Sequence, residues 1–153
     1  MKVIIFKNES GGVSKLTPTL GALEILSLQE IFERAVKYET LYFEVDDISL
    51  PIEPMISWEL SDNGSININQ DKLDKYNRSI MPTLTPIEFD IKLVNAGLYD
   101  RVQGLIQSDI KLKIAYNRAT FFSRTDFFVD QARIALNLTD EQFDEIWEKA
   151  LTL

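Results

Sequence analysis

The sequence predicts an α+β fold in two parts: a small α+β unit over residues 1–80 and an all-α unit of about five short helices over residues 81–153. Three observations carry this division. Apolar residues in the first part come in short runs, largely of two-residue period, broken by Gly, Asn and Pro. From Thr85 onward they recur at spacings of three and four, as helix-on-helix packing requires. Between the two lies DKLDKYNRSIMPTLTP (71–86), polar and then proline-bearing, which sets the seam near 79–84.

In the first part, MKVIIFKN (1–8) reads as a strand and NESGG (8–12) as a turn with two glycines free to take positive φ. VSKLTPT (13–19) returns as the second strand of a hairpin, which Pro18 ends. LGALEILSLQEIFERAVKY (20–38) has helical spacing, with Leu23, Leu26, Ile31, Phe32 and Ala35 as its buried stripe and Ser27 as a point of division. TLYFEVDDI (40–48) alternates, Leu41, Phe43 and Val45 facing one way and Tyr42, Glu44 and Asp46 the other. Beyond Pro51 and Pro54, MISWEL (55–60) and SININ (65–69) flank Asn63-Gly64, a strong hairpin signal. A short helix is expected to end around Tyr76.

In the second part, Thr85-Pro86-Ile87-Glu88 is a capping box opening a helix that buries Phe89, Leu93 and Ala96 and closes at Gly97. Residues 98–108 give a second helix through Val102, Leu105 and Ile106. A longer one runs from Asp109 to Phe122, its stripe made of Ile110, Ile114, Ala115, the stem of Arg118, and Phe121 or Phe122. Thr125 and Asp126 cap the next, where Phe128, Ala132 and Leu136 repeat at every fourth residue and Asn137 ends the run. Thr139 to Gln142 forms another capping box, and the final helix carries Phe143, Ile146, Trp147 and Ala150.

Composition narrows the chemistry. The chain has no cysteine and no histidine. That removes disulfides, thiol nucleophiles, Cys-based zinc sites, and both the commonest general base and the commonest transition-metal ligand. Carboxylates remain, and Glu44, Asp46, Asp47, Glu53 and Glu59 lie close in sequence. Glu44 and Asp46 alternate with apolar residues, however, and so belong on the solvent face of a strand. DNGSININQD (62–71) lacks the spaced acids and closing glutamate of a calcium loop and reads as a hairpin. Gly11-Gly12 is followed by Ser14-Lys15, the wrong order for a phosphate-binding loop. The expectation is a protein that is not an enzyme, with no cofactor and no metal.

A net charge of −8 disfavours nucleic acid as a partner, because affinity there comes from neutralising phosphates. The longest apolar run, VIIF (3–6), is far shorter than a membrane span or a signal-peptide core. A soluble chain that stays in the cytoplasm where it is made is expected.

One stretch, NRATFFSRTDFFVD (117–130), mixes Arg and Phe as single-strand nucleic-acid platforms do. Its own aspartates and the acidic chain favour a simpler account: a helix end, a capped turn and a helix start, with Phe122 and Phe128 buried. Trp147 belongs to the core of the last helix. Trp58, beside Pro54, either closes the first unit or marks an interface. Arg118 and Arg124 either brace the hairpin, against Asp126, Asp130 or Glu141, or are presented to a partner. Arg118, Arg124 and Trp58 are therefore the candidate partner contacts.

The run from Thr85 to Ala150 resembles small proteins encoded in the tail gene clusters of bacteriophages and prophages. The matching positions are Thr85, Pro86, Glu88, Phe89, Gly97, Leu98, Ile114, Ala119, Thr120, Phe122, Arg124, Phe128, Val129, Leu138, Thr139 and Gln142. Phe127 departs where proline is usual, and Asn137 where glycine is usual. The opening MKVIIFKN is loosely similar to the start of other small prophage proteins. The resemblance implies a tail component or tail assembly factor, without catalytic residues to carry over. Such a protein would act through contacts with a phage tail or fibre protein, in the virion tail or the host bacterial cytoplasm. The alternative expectation, drawn from the charge, is a phage-encoded acidic inhibitor of a host nucleic-acid-binding or defence protein.

Overall fold

Four consecutive apolar residues, Val3-Ile4-Ile5-Phe6, leave a strand no polar face, so it must be covered on both sides. In the computed structural model, which describes residues 1–149, that strand is β1 (Lys2–Lys7). It is the centre of a three-stranded antiparallel sheet, order β2-β1-β3, between β2 (Val13–Leu16) and β3 (Tyr42–Asp46). Ile4 lies opposite Leu16 on one side and Glu44 on the other. Its alternate residues serve two cores. Ile4 and Phe6 pack with Phe32 of α2 (Leu28–Ala35), while Ile5 packs with Trp58 and Leu60 of β4 (Trp58–Leu60). β4 pairs only with β5 (Ile66–Ile68), in a two-stranded ribbon. The chain has an α+β fold.

Local chemistry sets the turns. The Asn8 side-chain oxygen accepts from the backbone N–H of Ser10 and Gly12, and Gly11 has φ +81°. In the β4–β5 turn, Asn63 accepts from the N–H of Ser65 and Gly64 has φ +85°. Gly64 is required twice over. Besides its left-handed backbone, a Cβ placed there would stand 2.6 Å from the Phe43 ring.

The helical stretch after Pro18 differs from expectation. It divides into α1 (Leu20–Leu23) and α2, with Ser27 and Glu30 forming a full capping box that starts α2 afresh. The buried stripe is consequently counted from Leu28, through Phe32 to Val36. Of the expected stripe only Phe32 is buried; Leu26 and Ile31 are half-buried, and Leu23 and Ala35 are exposed. Leu41, expected to face inward with Phe43 and Val45, precedes β3 and is also exposed.

α3 (Gln70–Ser79) runs beyond Tyr76, and the division into two compact units falls inside it, at Tyr76/Asn77 rather than at the expected 80/81. The second unit holds α4 (Pro86–Asn95), α5 (Tyr99–Ser108), α6 (Ile110–Arg118), α7 (Phe127–Ala135) and α8 (Asp140–Glu148). Thr85 with Glu88, and Thr139 with Gln142, make both halves of their capping boxes. Gly97 and Asn137 take the left-handed conformation (φ +68° and +57°) that closes α4 and α7. Asp126 is the N-cap of α7, yet its carboxylate accepts from the Ser123 N–H instead.

One core fills this unit. Phe89, Leu93, Val102, Ile106, Phe122, Phe128, Val129, Leu136, Phe143 and Trp147 are all buried in it. Ring centroids of Phe89 lie 5.0 Å from Phe122, 6.3 Å from Phe128 and 5.9 Å from Trp147. Leu84 and Phe122 exchange backbone hydrogen bonds, which fix Phe122 over this cluster. Ala150, expected in the last helix, lies outside the described residues.

α6 corrects the sequence reading most sharply. It stops at Arg118 and turns Leu112, Tyr116 and Ala119 to the core, leaving Ile110, Ile114, Ala115 and Arg118 exposed. Both stripes are apolar, so the choice rests on Tyr116. Its ring stacks on Phe122 at 5.7 Å, and its hydroxyl donates to Asp90 of α4 at 2.6 Å. A half-buried tyrosine that stacks on the core and has its hydroxyl satisfied outcompetes two isoleucines.

Candidate interaction surfaces

Three candidate contacts emerge from the sequence, and two of them are interior. Trp58 is buried between the β1–β3 sheet and the β4–β5 ribbon, and its indole N–H donates to the Glu53 carbonyl at 2.8 Å. It closes the first unit rather than marking an interface. Arg124 is only 2% exposed, so it is not presented to a partner. Burial of a guanidinium demands charged partners, and α8 supplies them.

Asp140 and Asp144 stand four residues apart on one face of α8. Arg124 Nε donates to Asp144 Oδ1 at 2.6 Å, and its Nη2 donates to Asp140 Oδ1 at 2.8 Å and to the Asp140 carbonyl at 3.2 Å. The second oxygen of Asp144 accepts from Arg78 Nε at 2.8 Å, and Arg133 Nε lies 3.2 Å from Asp140. Arg133 also pairs with Asp130. The Arg124 guanidinium sits 5.1 Å above the Phe143 ring. Burial opposes ionisation of Asp140, but its hydrogen bond from Arg124 and the charges of Arg78, Arg133 and Arg124 outweigh it and hold the carboxyl below its usual range.

The network is an internal brace of the helical unit, joining Arg78, the turn before α7, α7 itself and α8. Of the acids named from sequence, only Asp130 and Glu141 belong to it, and they pair with Arg133 and Arg78. Asp126, the third, bonds the Ser123 backbone. Nothing near Arg124 in the chain identifies Asp144 as its partner.

The third candidate, Arg118, is exposed. It continues a stripe that begins with Ile110, 68% exposed, and Ile114, 49% exposed. Lys111, on the same side of α6, is exposed too. Phe121, just beyond α6, also faces solvent, as does Phe127 at the start of α7.

The carboxylates of the first unit are dispersed. Asp46 pairs with Lys2, Asp47 with Lys15, and Glu59 with Lys72. A hydrogen bond from Asn69, then the Lys72 ammonium, lowers the Glu59 pKa. Glu44 and Glu53 are exposed. Among the described residues, no group of three or more acids is placed to hold a metal ion.

Lys92 escapes the sequence reading, although it falls between Phe89 and Leu93 on the buried side of α4; Ala96, expected there too, is exposed. It is buried, its ammonium donates to the Lys149 carbonyl, and burial lowers its pKa. A hollow of about 110 Å³ lies beside it, lined by Asn95, Ala96, Glu145, Ile146 and Lys149. Burial, then the bonded Asp90 carboxylate, pushes the Tyr116 phenol well above its ordinary range. Among the described residues no helix is long and apolar enough to cross a membrane. No family model, curated protein or solved structure matches this chain.

Proposed function

We propose that this is a non-enzymatic phage or prophage protein that acts through protein contacts, as a tail component or tail assembly factor. The resemblance over residues 85–150 supplies the tail assignment. The observation that carries the mode of action is the exposed apolar surface of the helical unit. Ile110, Ile114, Phe121 and Phe127 face solvent while the neighbouring core is already filled by other aromatics.

The two departures from the tail-protein pattern are conformationally conservative. Phe127 occupies the first position of α7, where proline is favoured because its missing N–H has no helical partner, but where other residues fit equally. Asn137 adopts the left-handed backbone that glycine adopts most easily and asparagine next.

Affinity purification of the tagged chain, co-expressed in turn with phage tail-fibre and baseplate proteins, is expected to retain one of them in stoichiometric amount. Retention of none, together with strongly salt-sensitive binding to a host nuclease, would replace this reading with that of an acidic inhibitor.

A further inference from the structure

The outer face of α6 combines two properties that no other helix of the unit combines among the described residues. It is apolar at Ile110 and Ile114, and every charge on the helix is positive: Lys111, Lys113 and Arg118. The chain as a whole carries −8. Lys113 donates to Gln107 at 2.9 Å on one flank, while Lys111 and Arg118 are exposed beside the two isoleucines. Asp109, the N-cap, has one carboxylate oxygen turned to the N–H groups of Lys111 and Leu112. No acid therefore interrupts the stripe from Ile110 to Arg118.

We infer that this face docks an acidic amphipathic helix of a partner protein. Its apolar side chains would lie on Ile110 and Ile114, and its carboxylates would meet Lys111 and Arg118. Helix-to-groove recognition uses anchors spaced by three and four residues, and rim charges of opposite sign set partner choice and register. A second copy of this chain is disfavoured, because this face presented to its own image sets Lys111 and Arg118 against like charges. The inference deepens the protein-contact reading by naming the surface and the chemistry of what covers it.

The test uses two dye-labelled helix-forming peptides with leucine at alternating spacings of three and four. One has glutamate at the remaining positions and the other lysine, and binding is read by fluorescence anisotropy. The glutamate peptide is expected to bind the full-length protein at least about tenfold more tightly than the lysine peptide, and to weaken as salt is added. Lys111→Glu with Arg118→Glu is expected to weaken it by about tenfold or more. Ile114→Ser is expected to weaken it as well, with circular dichroism unchanged because all three positions are exposed.

Equal binding of the two peptides, or unaltered binding by the variants, would overturn the inference. So would sedimentation showing self-association that Ile114→Ser abolishes. The same variants separate this inference from the tail reading. Co-purification with a tail protein that survives Lys111→Glu/Arg118→Glu sinks the surface and leaves the tail reading standing. Peptide binding that depends on α6, with no tail protein retained, does the reverse.

Discussion

Replacing Arg124 with methionine is expected to destabilise the helical unit by about 3–5 kcal/mol, the usual cost of removing one partner from a buried ion pair. The cause is less the lost attraction than what remains. Asp144 keeps one oxygen on Arg78, but its other loses the 2.6 Å bond from Arg124, and Asp140 loses both its side-chain and its carbonyl contacts to that guanidinium. Arg124→Lys should recover only part of the loss, since a single ammonium cannot reproduce the donors to both Asp140 and Asp144 and the guanidinium's place over the Phe143 ring. Thermal melts followed by circular dichroism would show a fall on the order of 15 °C or more for methionine. A variant melting with the parent would refute the brace.

The same network fixes the pH dependence. The Asp140 pKa is lowered in the folded chain, so its contribution is complete above the unfolded value of about 4 and is lost as pH falls through the folded one. The gap in stability between parent and Arg124→Met should therefore narrow in acid. A gap that widens there would contradict the assignment.

Phe89→Ala is expected to cost about 3–5 kcal/mol, from lost burial plus the cavity left behind. Three rings and the α4–α8 contact converge on this side chain, so collapse around the vacancy would have to move several elements at once. Phe127→Ala is the matched control: the same atoms leave a position 75% exposed, and the change should stay within about 0.5 kcal/mol. Urea unfolding of both variants measures the difference. Equal losses would mean that the burial assigned to these two phenylalanines is wrong.

What could be read from the sequence follows a physical boundary. Caps and tight turns are local, and Thr85–Glu88, Thr139–Gln142, Gly97, Asn137 and Asn63-Gly64 all do what their residue types dictate. The alternating burial of Phe122 and Phe128 against Phe121 and Phe127 also follows from the short turn between α6 and α7. The Ser27–Glu30 box is just as local, and the stripe drawn from Leu23 fails because it runs through that break.

The face of α6 belongs to another class. Two apolar stripes compete, and the decision comes from Asp90 on α4, which receives the Tyr116 hydroxyl. Arg124 likewise depends on carboxylates of α8 that only the fold brings near. Those choices decide which residues remain at the surface. Arg118 therefore stays a candidate contact, while Ile110 and Ile114 take the places of Trp58 and Arg124.

The two tryptophans described as core residues have a practical use. Trp58 lies in the first compact unit and Trp147 in the second, and both are buried with the indole N–H bound to a backbone carbonyl. These are the chain's only two indoles. With Trp58 changed to phenylalanine, emission comes from the helical unit alone; with Trp147 changed instead, it comes from the α+β unit alone. The native sequence thus carries a separate optical label in each half, and a single dye-free titration of each variant tells which half yields first.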